Sequence, residues 1–174
     1  MTIQHGWTAA QGGSAVDQMY IHRTVNWLAS AIHTADPTAT VTNAAWTFKV
    51  NSTQPGMNNH YSDASLRAAG GKANGTLDYY QVHYYELNGM QFSPFRNPAS
   101  HWGVDKKLVI GEFYARTTDG VATNDTFTKL YDSGYNGAWA WQYNDGDAAV
   151  RWPTMQVPMQ NVFNAHMAEV GNCR

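Results

Sequence analysis

Cysteine occurs once in the 174 residues, at Cys173, so neither a disulfide nor a cysteine-built zinc site can form within one chain. Blocks of like charge are missing as well. Eleven Lys and Arg stand against thirteen Asp and Glu, for a formal net charge of -2 and no basic stripe, which argues against nucleic acid or an anionic membrane as partner. No apolar run approaches the roughly 18 residues that a membrane span needs. The opening Met1-Thr2-Ile3-Gln4-His5-Gly6-Trp7 lacks the basic and apolar regions of a signal peptide, so the chain as given is expected in the cytoplasm, and outside the cell only as part of a longer precursor. His60 and the other six histidines show no zinc-type spacing with a nearby carboxylate, and neither a metal nor a cofactor is expected.

What is present is an ordinary globular composition, 43% hydrophobic and 14% charged, of a length that suits one domain spanning residues 1–174. Aromatics are abundant, with 7 Trp and 10 Tyr; flat rings with polar tips serve carbohydrate faces as well as cores. Helix and strand signals alternate. Ala15 to Thr34 reads as an amphipathic helix with Val16, Met19, Tyr20, Val25, Leu28 and Ile32 on its apolar side, stopped by Asp36-Pro37. A strand is expected at Thr40 to Trp46, then a long polar loop from Asn51 to Tyr61 and a short helix from Ser62 to Ala69 closed by Gly70-Gly71. Further strands are expected at Leu77 to Tyr85, Lys107 to Tyr114 and Gly137 to Tyr143. Helices follow at Asn124 to Ser133, capped by Thr123 or Asn124, and at Met155 to Val170. With no two-residue hairpin signal between strands, the pattern predicts an α/β fold with a parallel sheet and helical crossovers.

The ends of these strands carry the chemistry. Leu108-Val109-Ile110-Gly111-Glu112-Phe113-Tyr114 is an apolar strand that finishes on a carboxylate, and a buried Glu implies either a functional site or a compensating ion pair. Simple alternation puts Leu108, Ile110 and Glu112 on one face and Val109, Gly111 and Phe113 on the other. The second strand puts Gln81, His83 and Tyr85 together, and the fourth Trp139, Trp141 and Tyr143. Each residue alone also fits a core or a salt bridge. It is their shared position at successive strand ends, where parallel α/β folds carry catalytic groups, that points to a sugar-processing pocket. Glu112 could attack an anomeric carbon, Tyr85 could orient it and Trp141 could stack under a pyranose.

Ile110-Gly111-Glu112-Phe113, His83-Tyr84-Tyr85 and Gly137-Ala138-Trp139-Ala140-Trp141 resemble the last strands of clan A glycoside hydrolases, particularly the family 5 cellulase and mannanase type. Ala31-Ile32-His33-Thr34-Ala35-Asp36-Pro37 with Val41-Thr42 is similar to the helix and fifth strand of those (β/α)8 barrels. The resemblance implies that Glu112 is the nucleophile of a retaining β-glycosidase, that His83 and Tyr85 form a His-x-Tyr pair beside it, that Trp141 is the sugar platform and that Trp46 is a subsite contact. That family's acid/base is a Glu in an Asn-Glu-Pro motif on the fourth strand, and the motif does not occur in this sequence. Glu86 and Asp145 are possible substitutes, though neither sits where the resemblance places the acid.

With four strands, the resemblance implies a (βα)4 half of a TIM barrel, expected to be completed by a homodimer or by a complementary N-terminal half, because open sheet edges and residues such as Val41, Val82 and Ile110 would otherwise meet water. Two functions follow: hydrolysis of β-glycosidic bonds in a polysaccharide or oligosaccharide of the cellulose or mannan kind, or carbohydrate binding by a non-catalytic scaffold that lacks the acid.

Overall fold

The computed structural model describes residues 17–141 and 152–170. Asp145, Cys173, Val16 and the expected turn at 144–147 lie outside the described residues. The chain forms two compact units, Met1–Val82 with Trp102–Leu108, and His83–His101 with Val109–Arg174. Four strands hydrogen-bond in chain order, β1 (Ala44–Ala45), β2 (Tyr80–His83), β3 (Leu108–Tyr114) and β4 (Gly137–Trp141), in a parallel α/β arrangement.

The first unit is built around helix α1 (Gln18–Ala35) and the short α2 (Asp63–Gly70), which pack against each other. Both ends of α2 follow the sequence. Ser62 caps it by accepting from the Ser65 N–H, and Gly71 ends it at φ 75°, a left-handed conformation that glycine takes without a Cβ penalty.

The orientation of α1 overturns the expected one. Its buried residues are His22, Asn26, Ala29 and Ser30, while Met19, Tyr20, Leu28 and Ile32 are 41–60% exposed. The polar side faces inward because it satisfies the loop after α2. The Asn26 side chain donates to the carbonyls of Lys72 and Gly75 at 2.9 and 2.8 Å and accepts from the Lys72 N–H at 3.1 Å. Ser30 donates to Asn74, Trp27 to the Gly70 carbonyl, and His33 bridges the Asn74 carbonyl and Asp78. Hydrogen-bonding demand of a buried loop backbone here outweighs the apolar periodicity.

The expected strand at Thr40 to Trp46 shrinks to two residues. Val41 and Thr42 still run beside 78–79, but side chains share the work, the Val41 N–H bonding the Asp78 carboxylate and the Thr42 hydroxyl the Tyr79 carbonyl. Downstream, Phe48 stacks on Trp102 at 3.7 Å between centroids, and Ser52 and Thr53 bond the Trp102 carbonyl. The 51–61 loop is thus partly core, with Asn51, Ser52 and Tyr61 fully buried.

In the second unit, β3 and β4 are parallel, with Ile110 beside Ala138 and Phe113 beside Ala140. Three steps on β3 match two on β4, so Gly111 and Glu112 form a bulge. Simple alternation therefore fails at this point. Phe113 shares a face with Ile110, and packs against Phe95 and Phe127, whereas Glu112 and Tyr114 share the opposite face. Helix α3 (Thr126–Asp132) is entered through a 3-10 turn at Thr123–Asp125 without a side-chain cap, in place of the expected Thr123 or Asn124 cap. It packs on β4 and on α4 (Trp152–Ala165), which is followed by α5 (Met167–Val170). Val82 and Ile110 have no exposed surface, so the expectation that these two would meet water is wrong; Val41 is half-buried, and β4 keeps Trp139 and Trp141 exposed.

Candidate active site

The bulge delivers Glu112 to the C-terminal end of β3, and β2 delivers two partners to it. Alternation on β2 buries Tyr80, Val82 and Tyr84 completely on one face and turns His83 and Tyr85 to the other. The Tyr85 hydroxyl donates to Glu112 Oε2 at 2.5 Å, and His83 Nδ1 lies 3.2 Å from the same oxygen. The Tyr84 N–H bonds the Glu112 carbonyl, which fixes the register that makes both contacts.

The three groups sit in a half-dry setting. Tyr85 is 7% exposed, and the His83 and Glu112 side chains are 15% and 23% exposed. Burial, reinforced by the hydrogen bond and charge of Glu112, holds the Tyr85 phenol far above its ordinary range, so it remains a donor. Burial also pulls the His83 imidazole below its ordinary value, against the opposing pull of Glu112. A carboxylate held by a phenol and an uncharged imidazole keeps its negative charge local and its orientation fixed. It can attack an electrophilic carbon or stabilise a cation in front of it.

Trp141 is paired with Tyr114 across β3 and β4, and Trp139 stands opposite the bulge that carries Glu112; the two indoles are 43% and 52% exposed. Trp46 follows β1 in the first unit and is 46% exposed. Glu86, considered as a substitute acid, is committed elsewhere: Oε2 accepts from Arg116 at 3.3 Å and Oε1 from the Asp119 N–H at 3.2 Å. Asp119, at φ 49°, also accepts from the Tyr84 hydroxyl at 2.6 Å.

Tyr114, Arg116 and Asp119 escaped sequence reasoning. Tyr114 packs edge to face on Tyr85, 4.7 Å between centroids, and Arg116 lies 4.2 Å over the Tyr114 ring. A charged residue two positions beyond a strand-end aromatic was the available signal. Among the described residues, no group of three or more His, Cys, Asp or Glu could hold a metal ion, and no helix is long and apolar enough to cross a membrane.

No family model matches the chain. It is 38% identical over 146 residues to a mannan endo-1,4-beta-mannosidase of Cryptopygus antarcticus, covering 81% of this chain and 37% of that one. A mannan endo-1,4-beta-mannosidase of Mytilus edulis is 39% identical over 142 residues, with 80% and 39% covered. The solved beta-mannanase of Mytilus edulis superposes with a TM-score of 0.80 at 38% identity, covering 91% of this chain and 44% of that one. The chain thus spans about two fifths of the length of the curated relatives it matches. The fold, the ordered strand-end motifs and this similarity agree: the chain is a homologue of mannan endo-1,4-beta-mannosidases and matches the C-terminal half of their barrel.

Proposed function

We propose that these residues form the nucleophile side of a retaining β-1,4-mannanase site. The observation that carries the reading is the convergence of the Tyr85 hydroxyl and His83 Nδ1 on a single oxygen, Oε2, of Glu112. With Oε2 held, Oε1 attacks the anomeric carbon, the C1–O bond to the leaving sugar breaks, and water later releases the glycosyl ester. Tyr85 keeps the carboxylate aimed, and His83, uncharged, leaves its nucleophilicity intact. Trp141 and Trp139 offer exposed indole faces to the sugar chain, and Trp46 serves as a further subsite contact.

Retention requires a second carboxyl group roughly 5 to 5.5 Å from the first. Glu86 is tied to Arg116 and Asp119, which supports an acid/base supplied from outside the described residues. A complementary N-terminal barrel half supplies it, residues 1–174 acting as one half-barrel domain; a second copy of the chain is the other way to complete the ring.

Turnover of an activated aryl β-mannobioside tests the nucleophile without the acid, because a good leaving group needs little protonation. Glu112→Ala is expected to lower the rate at least a thousandfold, with recovery on adding azide. An unchanged rate removes Glu112 from the mechanism. Binding of mannan with no turnover in any assembly supports the carbohydrate-binding scaffold instead.

A further inference from the structure

Just beyond Glu112, one guanidinium touches both the end of β3 and the 3-10 turn that follows β2. Arg116 lies over the face of Tyr114, 4.2 Å from its centroid, and donates to Glu86 Oε2 at 3.3 Å. Glu86 follows Tyr85 directly, and Tyr114 packs edge to face on the Tyr85 ring. Arg116 therefore holds the turn after β2 through Glu86 and the end of β3 through Tyr114. Tyr85, held between these two, is the residue whose hydroxyl reaches Glu112 Oε2.

The side chains of Arg116 and Glu86 are 45% and 39% exposed, and an ion pair so exposed adds little to stability. What the arrangement achieves is geometric. The second oxygen of Glu86 is occupied by the Asp119 N–H, so the carboxylate cannot rotate away without losing both contacts. A planar guanidinium lies flat on a ring while one of its N–H groups reaches a carboxylate in its own plane, which an ammonium does not.

We propose that Arg116 is a positioning residue for Glu112, acting through Tyr114 and Glu86 on the Tyr85 ring and through the Tyr85 hydroxyl on the carboxylate. The proposal rests on the reading of Glu112 as nucleophile, and two measurements separate the fates of the two. The first is the rate at which a dinitrophenyl 2-deoxy-2-fluoro-β-mannobioside labels the protein. The carboxylate forms a bond to the anomeric carbon while dinitrophenolate leaves as an anion, so no acid is needed. Arg116→Ala is expected to lower the maximal labelling rate about tenfold, with the half-saturating concentration and thermal midpoint nearly unchanged, and Arg116→Lys to restore it only in part. The second is the hydroxyl proton of Tyr85, a downfield NMR resonance that Tyr85→Phe removes and that Arg116→Ala is expected to broaden by faster exchange. If Arg116→Ala leaves the resonance sharp, or leaves the labelling rate as in the parent, the proposal is overturned. A parent protein that shows the Arg116-sensitive resonance but takes no label overturns the nucleophile reading and leaves the positioning link standing.

Discussion

At the scale of the residue, the site is a carboxylate whose direction is set by a protonated phenol. A hydrogen bond from a neutral donor to a charged group contributes about 1.5–3 kcal/mol, and each 1.4 kcal/mol is a factor of ten. Tyr85→Phe is therefore expected to lower kcat on an activated mannobioside about 10- to 100-fold while KM moves little, which steady-state kinetics checks. Trp141→Ala acts on the other parameter. Loss of a stacking face is expected to raise KM about three- to tenfold with a smaller change in kcat. His22 gives a stability test away from the site. It is 7% exposed, and burial, with the nearby His60, lowers its pKa from 6.5 to about 4. The unfolded chain takes up this proton first as pH falls, so the folded state loses stability between about pH 6.5 and 4 and is unaffected above that range. Thermal melts at pH 7 and 4.5 are expected to show a larger drop for the parent protein than for His22→Asn. The meeting of Glu112, His83 and Tyr85 was legible in the sequence because strand alternation on β2 holds and because all three stand at strand ends. The Ile110 and Phe113 faces were not, because a bulge inserts one residue between them; Gly111, a glycine inside the strand, was the signal for it.

At the scale of the element, α1 shows why periodicity alone misplaces a helix. Its apolar stripe is real, yet Asn26 and its neighbours turn the other side inward to satisfy the backbone of residues 70–78. The same latch dictates glycine at position 75, where a Cβ would lie 2.2 Å from the Asn26 carbonyl oxygen, a backbone atom that cannot swing aside. Asn26→Ala removes three hydrogen bonds, among them the buried one to the Gly75 carbonyl, an expected loss of about 2–4 kcal/mol. Gly75→Ala is expected to cost about 1–3 kcal/mol by crowding the same helix. Urea midpoints for the two single variants and the double variant check this, and the double variant is expected to fall short of the sum, because both act on one contact. Helix bounds were more readable than caps: α2 lies within one residue of the expected Ser62 to Ala69, whereas the expected Thr123 or Asn124 cap is replaced by a 3-10 segment.

At the scale of the molecule, the similarity to β-mannanases reaches across most of this chain and less than half of theirs. Val82 and Ile110 do not drive association, since both are buried. Exposed apolar side chains include Leu28 and Ile32 of α1 at 60% and 42% and Val157 and Phe163 of α4 at 49% and 40%, besides the indoles of Trp46, Trp139 and Trp141. If a second half completes the barrel, Leu28→Lys with Ile32→Glu is expected to weaken association at least tenfold by sedimentation while leaving the monomer's circular dichroism unchanged. A parent protein that sediments as a monomer with full mannan-hydrolysing activity would contradict completion. The α/β class and parallel strands were legible from the alternation of strand and helix signals and the lack of hairpin turns. The burial of Asn51, Ser52 and Tyr61 was not, because a polar stretch with Pro-Gly reads as a surface loop.

The most direct measurement is peptide mapping by mass after incubation with the dinitrophenyl 2-deoxy-2-fluoro-β-mannobioside. The account predicts one covalent disaccharide, located on Glu112 and absent from Glu112→Ala; an adduct on any other carboxylate, or labelling that persists in the variant, would contradict it.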